Sequence, residues 1–388
     1  MEQIAEPKAI EVAVKYTDLT FVTIDGLGTK DIDDALCVEK MDVGYRIVVA
    51  IANPVKLVAV DSTEDKQARL MAATAYVRDK AVRRMLPPAI SEHKGSLEAG
   101  AARPALVFDI LLDETLEPVG TTILATHITV AHRLCHADIP QIVGDIDNPL
   151  QPMLTLASHL GRMLLDSRRR KGALALYDLS RMLLTDEDGR LQLLQSVDEV
   201  IGYIIVQEMM ILTNHEAAKW MIDRNIPCVF RNHEPRLAAP RSDELAHTIE
   251  GWIKGGSFDQ GDAYSQFMSI AGKANYGGSA RGHYGLSLPA YLHVSSPLRR
   301  YADLVNMRQL VAFLKGRPLP YSKPDLEAMA QDLNEALERR KEERREGFKD
   351  VVKRTAEGAI ESGRLAKLAD HELRQAVKLS REAGYLPA

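Results

Sequence analysis

Short apolar runs separated by turn residues fill the first third of the chain, and helical spacing takes over after about residue 150. Phe21-Val22-Thr23-Ile24, Ala35 to Val38 and Tyr45 to Ile51 are β-prone and predict strands, the third stopped by Asn53-Pro54. Ala105 to Leu112 and Thr121 to Val130 predict two more, and Met85-Leu86-Pro87-Pro88 and Gly100 mark loops between. From Met153 to Ser167, Leu156, Leu160, Met163 and Leu164 recur at helical spacing. Val197 to Ile222 predicts a longer helix, apolar on most faces and therefore buried. Arg299 to Leu314 predicts another helix, Pro318 to Pro324 a linker, and Leu326 to Leu386 a stretch that is helical throughout. In that stretch Glu335 to Glu346 mixes both charge signs, as a solvated helix face does.

Composition narrows the class. The 388 residues are 46% hydrophobic and 27% charged, enough apolar side chain for a core and one large or two ordinary domains. Lysine plus arginine number 49 against 54 acidic residues, a net charge of −5. That excludes a polycation coating nucleic acid non-specifically, so any RNA or DNA contact needs a local basic surface. Cys37, Cys135 and Cys228 are odd in number and far apart, which argues against a disulfide framework or zinc cluster and for a reducing compartment. Met1 to Val14 is acidic and lacks an apolar stretch, so it does not read as a signal peptide. No window approaches the roughly 18 apolar residues of a membrane span. The expected location is cytoplasmic, with no membrane partner.

The segment FVTIDGLGTKDIDDALCV, Phe21 to Val38, carries the first chemistry. Asp25, Asp31, Asp33 and Asp34 crowd into β-prone sequence, and Gly26 and Gly28 let the chain turn so that Asp25 approaches the other three. Such crowding is costly unless a cation compensates it or some carboxylates stay protonated. Hard carboxylate oxygens suit Mg²⁺ or Mn²⁺. Two such ions about 3.5–4 Å apart hold the attacking and leaving oxygens of a phosphodiester. A calcium-binding EF-hand fails on spacing, because Leu27 or Leu36 falls where an acid or a glycine is required. A polar turn between strands remains the bland reading of DIDD.

The segment GHYGLSLPAYLHVSSPLRRYADLVNMR, Gly282 to Arg308, carries the second. Ser295-Ser296 can cap a helix, Pro297 suits its first turn, and Arg299 and Arg300 then sit where backbone N–H groups favour anions. Serine pair, helix start and guanidinium fork suggest a phosphate cradle. A capped surface helix with solvated arginines is the alternative.

TIDGLGTKDIDDAL and YLHVSSPLRRYADL together resemble the signature of the ribonuclease II family, the RNB-type exoribonucleases. VAIANP, TAYVRDKAVRRMLPPAISEHKGSL, RRRKGAL, the helix bearing Glu208 and Asn214, and FRNHEP match in the same order, from about Tyr16 to Leu314. The resemblance implies an α/β fold: a twisted, mostly antiparallel sheet surrounded by helices, with an RNA channel leading to the acidic site. The expected organisation is a tail (1–15), an RNB-type catalytic domain (16–316) and a helical C-terminal extension (317–388). The implied activity is hydrolysis of single-stranded RNA from its 3′ end to nucleoside 5′-monophosphates, with Mg²⁺, or Mn²⁺ as a substitute. Asp25, Asp31, Asp33 and Asp34 match the family's metal-binding and water-orienting acids, Asp33 being a catalytic residue. Arg299 matches the arginine facing the scissile phosphate, and Arg300 its basic neighbour. Tyr76 matches the aromatic on the 3′-terminal nucleotide, where a ring gives a base-independent stacking face. Glu208 matches a site-wall glutamate; in so apolar a helix it needs a partner, for which a ribose 2′-hydroxyl is a candidate. Ser296 and His136 complete the expected RNA contacts. Lys80, Arg83, Arg84 and Arg168 to Lys171 are candidates for a basic lining, with ordinary surface charge as the alternative.

The chain departs from the family in places. Cys135-His136 stands where many relatives carry a second stacking tyrosine, Asn53 where aspartate is common, and Met307 where histidine is frequent. Typical relatives flank the catalytic domain with OB-type barrels, whereas fewer than 20 residues precede the first motif and the sequence after Pro324 reads as helical. A weaker, less processive grip on RNA is the expectation. Two other readings remain: a non-catalytic RNA-binding or adaptor protein, with a protein partner on the C-terminal helices, and a phosphodiesterase acting on DNA or short oligonucleotides.

Overall fold

A computed structural model describes residues 16–77, 80–175, 183–185, 191–193, 200–237, 239–254, 270–362 and 370–382. The expected tail, 1–15, lies outside these residues. The strands are β1 (Phe21–Asp25), β2 (Asp34–Lys40), β3 (Tyr45–Ala52), β4 (Ala75–Val77), β5 (Lys80–Arg83), β6 (Ala102–Leu112), β7 (Pro118–Cys135), β8 (Leu183–Thr185), β9 (Leu191–Leu193), β10 (Phe230–Pro235) and β11 (Ala271–Gly277). The helices are α1 (Thr63–Met71), α2 (Ile139–Gly144), α3 (Gln151–Arg170), α4 (Ile201–Asp223), α5 (Ser242–Lys254), α6 (Tyr301–Leu314), α7 (Lys323–Ser362) and α8 (Asp370–Glu382).

Strands β1, β2, β3, β6 and β7 close into a barrel in that order. All pairs are antiparallel except β1 with β7, which run parallel and complete the closure. The mostly antiparallel sheet expected from the sequence is thus present and curls onto itself. The β4–β5, β8–β9 and β10–β11 pairs form separate ribbons.

Strands β1, β2, β3 and β6 carry near-continuous apolar runs because both their faces are covered, whereas β7 is largely exposed or half-buried. On β3, Ile47, Val49 and Ile51 join a cluster with Leu36, Leu106, Phe108 and residues of α3, α4 and α6. Val48, Ala50 and Ala52 join a second cluster with Ala35, Ala105, Ile32, Leu97 and Leu298. Each fully buried isoleucine or leucine contributes about 1.5–3 kcal/mol. Helix α4 is buried around most of its circumference, as a pattern apolar on most faces predicts.

Two boundaries differ from expectation. Helix α6 begins at Tyr301, not Arg299, and neither Ser295 nor Ser296 caps it. Tyr321, in the expected linker, is buried and exchanges hydrogen bonds with Gln309, and its hydroxyl accepts one from Arg308. The C-terminal stretch is helical over Lys323–Ser362 and Asp370–Glu382; residues 363–369 and 383–388 lie outside the described set. Met1–Leu333 and Asn334–Ala388 form two separate units, the second made of the rest of α7 and of α8. Among the described residues, no helix is long and apolar enough to cross a membrane.

Candidate active site

The turn from β1 to β2 carries the acidic cluster to one end of the barrel. Asp25 ends β1 in register with Cys135 at the end of β7, and Asp34 opens β2 opposite Ile51 near the end of β3. Neither Gly26 nor Gly28 adopts a positive φ, so the turn does not depend on glycine's left-handed freedom. The backbone between is clamped. Ile32 N donates to Ser96 Oγ at 3.1 Å, Ser96 Oγ donates to Lys30 O at 2.8 Å, and Leu97 N donates to Ile32 O at 3.0 Å. Ala52 N donates to Asp33 O at 2.8 Å. Ile32 enters the second core cluster, so its two flanking aspartates are fixed by core packing.

The turn Ser295 to Arg300 meets this cluster. Leu298 is fully buried beside Ile32 and Leu97, and its N–H donates to Asp33 Oδ1 at 2.8 Å. The neighbouring Arg299 donates from Nε to Asp33 Oδ2 at 3.2 Å and from Nη2 to Ser296 Oγ at 3.0 Å. Asp33, expected as metal ligand and catalytic carboxylate, therefore has both oxygens engaged by the arginine turn. Arg299 is 43% exposed, whereas Arg300 is turned onto Asp303 and Ser295. The turn's N–H groups do not form the expected phosphate cradle: those of Ser296 and Leu298 are taken by Asp303 and Asp33. The free end of the Arg299 fork is what this turn offers an anion.

Electrostatics follow from the crowding. Burial pushes Asp25 up to about 6, opposed by the nearby Arg133 charge, with a smaller upward push from Asp31. Burial pushes Asp34 up to about 7, and the Asp25 charge adds to it. Asp33 is also raised, by burial above all, against the pull of Arg299. Asp25 Oδ2 is buried without a hydrogen-bond partner. Among the described residues, no group of three or more His, Cys, Asp or Glu side chains stands ready-made to hold a metal ion. The donor chemistry nonetheless suits a hard divalent cation, which would compensate the orphaned oxygen and the mutually repelling carboxylates.

The other expected residues divide into two groups. Tyr76 is at the acidic site, its hydroxyl donating to Asp31 Oδ2. It is brought there by Thr74 N, which donates to Arg299 O at 2.9 Å, and by an antiparallel bridge of Ala73 to Arg300. His136 follows Cys135 at the end of β7 and stacks on Tyr203 of α4, ring centroids 3.7 Å apart. The helix comes that close because Gly202 has no side chain; a Cβ there would stand 2.7 Å from His136 O. Glu208 is fully buried, and its partner is Arg168 of α3, at 2.8 Å and 2.6 Å across a two-point fork. The partner required by a carboxylate in an apolar helix is supplied by the protein. Arg168, a candidate for basic lining, is accordingly buried, while Arg170 and Lys171 border an open cleft of about 760 Å³ with Arg241 and Tyr284. Arg84 pairs with Glu92.

Sequence reasoning did not single out Arg133, whose charge bears on Asp25, nor Asp303, which is fully buried beneath the arginine turn. Asp303, in the first turn of α6, falls three residues after Arg300, which immediately precedes the helix, and that short spacing was readable.

Comparisons with known proteins bear on the family and the fold. The model of the RNB domain matches residues 14–316. An uncharacterized ribonuclease of Synechocystis sp., sll1290, is 28% identical over 309 residues, 79% of this chain and 44% of that protein. The solved structure of Mycoplasma genitalium RNase R in complex with ribose-methylated single-stranded RNA is similar at a TM-score of 0.72 and 21% identity, over 82% of this chain and 55% of that one. Yeast Ssd1, described as a pseudonuclease, is similar at a TM-score of 0.63 and 20% identity, over 82% of this chain and 42% of that one. At such identities the structural likeness shows the fold. The chain spans about half the length or less of the curated relatives it matches.

Proposed function

Since the chain belongs to the RNB domain family, we propose that it is an exoribonuclease that removes nucleoside 5′-monophosphates from the 3′ ends of single-stranded RNA with a divalent cation, Mg²⁺ or Mn²⁺. The observation that carries this reading is the direct link between the two motifs, Asp33 to Leu298 and Arg299. It brings a cation-seeking cluster and a phosphate-seeking fork to one place. Asp25, Asp31 and Asp34 are the groups we assign to the cation. When bound, the cation supplies an activated water and neutralises charge on the phosphate. Asp33 holds Arg299, whose exposed fork meets the scissile phosphate. The Tyr76 ring gives the terminal nucleotide a stacking face. Residues 16–316 are taken as the catalytic domain, and 317–388 as a helical extension.

A time course with 5′-labelled RNA tests the reading. Mg²⁺-dependent shortening in single-nucleotide steps, with release of 5′-monophosphates, is the expected result; RNA binding without release rejects it. The second reading, an RNA-binding protein without turnover, draws on the likeness to Ssd1, described as a pseudonuclease. Paired RNA and DNA oligomers of one sequence separate both from a DNA-directed phosphodiesterase.

A further inference from the structure

Two buried carboxylates grip the arginine turn at successive points. Asp33 takes the N–H of Leu298 at 2.8 Å, and Asp303 takes the N–H of Ser296 at 2.7 Å. Asp303, fully buried, also holds Arg300 at 2.9 Å and 2.7 Å. Ser296 O in turn accepts from the N–H groups of both arginines, at 3.2 Å and 2.9 Å. The Ser296 hydroxyl accepts from Arg299 Nη2 at 3.0 Å. Ser296 itself is buried, only 3% exposed. Its hydroxyl lies against the Arg299 guanidinium and is closed off from solvent.

We propose that Ser296 and Asp303 are positioning residues: Asp303 fixes the backbone of Ser296, and the Ser296 hydroxyl aims the Arg299 fork. This rests on the reading that Arg299 faces the scissile phosphate. A long arginine side chain loses much rotamer freedom when held at two points, and a fork fixed in advance meets developing charge without reorganising. The sequence-based expectation that Ser296 touches RNA is replaced by an indirect role through Arg299.

The test is a double-mutant cycle of Ser296→Ala and Arg299→Ala, read by single-turnover cleavage of 5′-labelled RNA with Mg²⁺. Ser296→Ala removes one hydroxyl and keeps the N–H that Asp303 holds, so the turn stays anchored. It should slow cleavage by about tenfold, less than the roughly 10²-fold that a misplacement of about 1 Å costs. RNA affinity measured in chelator should change by less than about twofold. In the Arg299→Ala background the same substitution should add less than about twofold, because residues acting as a unit are not additive. A second readout does not need turnover: the order parameter of the Arg299 Nε–H, its NMR signal identified by its loss in Arg299→Lys. It should fall towards the flexible range in Ser296→Ala and in Asp303→Asn. Additive losses in the cycle, or an unchanged Arg299 order parameter, would overturn the proposal. If the wild type releases no monophosphates, the exoribonuclease reading fails, and the order parameter alone decides whether Ser296 positions Arg299.

Discussion

Asp33 and Arg299 are separated by 266 residues of chain and meet at the end of the barrel, Arg299 Nε lying 3.2 Å from Asp33 Oδ2. The contact is made possible by two neighbours that point into the core. Ile32 and Leu298 share the second apolar cluster, so packing them together delivers the polar residues beside them to the same spot. Each motif is thus an apolar anchor carrying a charged group.

Asp33→Asn separates grip from chemistry. The amide oxygen can still accept from Leu298 N–H, but its NH₂ group then faces the Arg299 Nε–H, donor against donor. Arg299 should lose its fixed aim, and turnover should fall by about 10²-fold or more, the size seen when a preorganised donor is removed. RNA affinity in chelator, read by fluorescence anisotropy, should stay within about threefold. Turnover near the wild-type value would reject this role for Asp33.

The acidic cluster should make the metal-free protein less stable as the pH rises. Asp25 and Asp34 have folded-state values of about 6 and about 7, above the 3.8 of an exposed aspartate. Between these values the folded state binds more protons than the unfolded state. Their contribution is therefore fully present below about pH 4 and is lost as the pH climbs through 6 and 7. In chelator, Asp34→Asn should raise the melting temperature by a few degrees at pH 8, with a smaller gain at pH 5. Added Mn²⁺ should stabilise the wild type more at pH 8 than at pH 5.5, because protonated carboxylates do not bind the ion. Equal stabilisation by Mn²⁺ at both values would show that these carboxylates do not hold it.

Much of this was legible before the structure. Runs such as Tyr45 to Ile51 predict strands whatever their partners, and four aspartates in apolar sequence stand out because burying like charges is costly. What sequence missed depends on distant partners. Ser295-Ser296-Pro297 has the composition of a helix start, yet the N–H groups there are claimed by side chains. Asp33 arrives from the other end of the domain to take Leu298 N–H, and the helix starts only at Tyr301, whose N–H donates to Ala72 O. Closure of the sheet was also hidden, since the parallel β1–β7 pair joins segments with no turn between them to announce it.

Tyr76 can be split into ring and hydroxyl. The proposed function uses the ring as a stacking face, and the hydroxyl is tied to Asp31. Tyr76→Ala should weaken binding of a short oligonucleotide by about 1–3 kcal/mol, the range for one stacked base. Tyr76→Phe keeps the ring and should bind within about twofold of wild type. It also frees an Asp31 oxygen, so Mn²⁺ affinity should rise or hold. If Phe and Ala weaken binding equally, Tyr76 works through its hydroxyl, not by stacking.

Glu208 offers the sharpest contrast between a structural and an RNA-contacting role. Its carboxylate is filled from both sides by the Arg168 fork, and both side chains are buried. Glu208→Gln removes the charge and leaves a guanidinium in the core facing an amide. Breaking one side of a buried pair costs about 3–5 kcal/mol, which urea unfolding would read as a lower midpoint with unchanged slope. Replacing both partners together, Arg168→Met with Glu208→Leu, should recover most of that loss, because two apolar side chains need no compensation. A ribose contact predicts something different. In that case Glu208→Gln would narrow the preference for RNA over a DNA oligomer of the same sequence, and the double replacement would not restore it. Recovery of stability by the double variant, with the RNA preference unchanged throughout, is the outcome expected from the geometry, in which α3 and α4 are locked together by this pair.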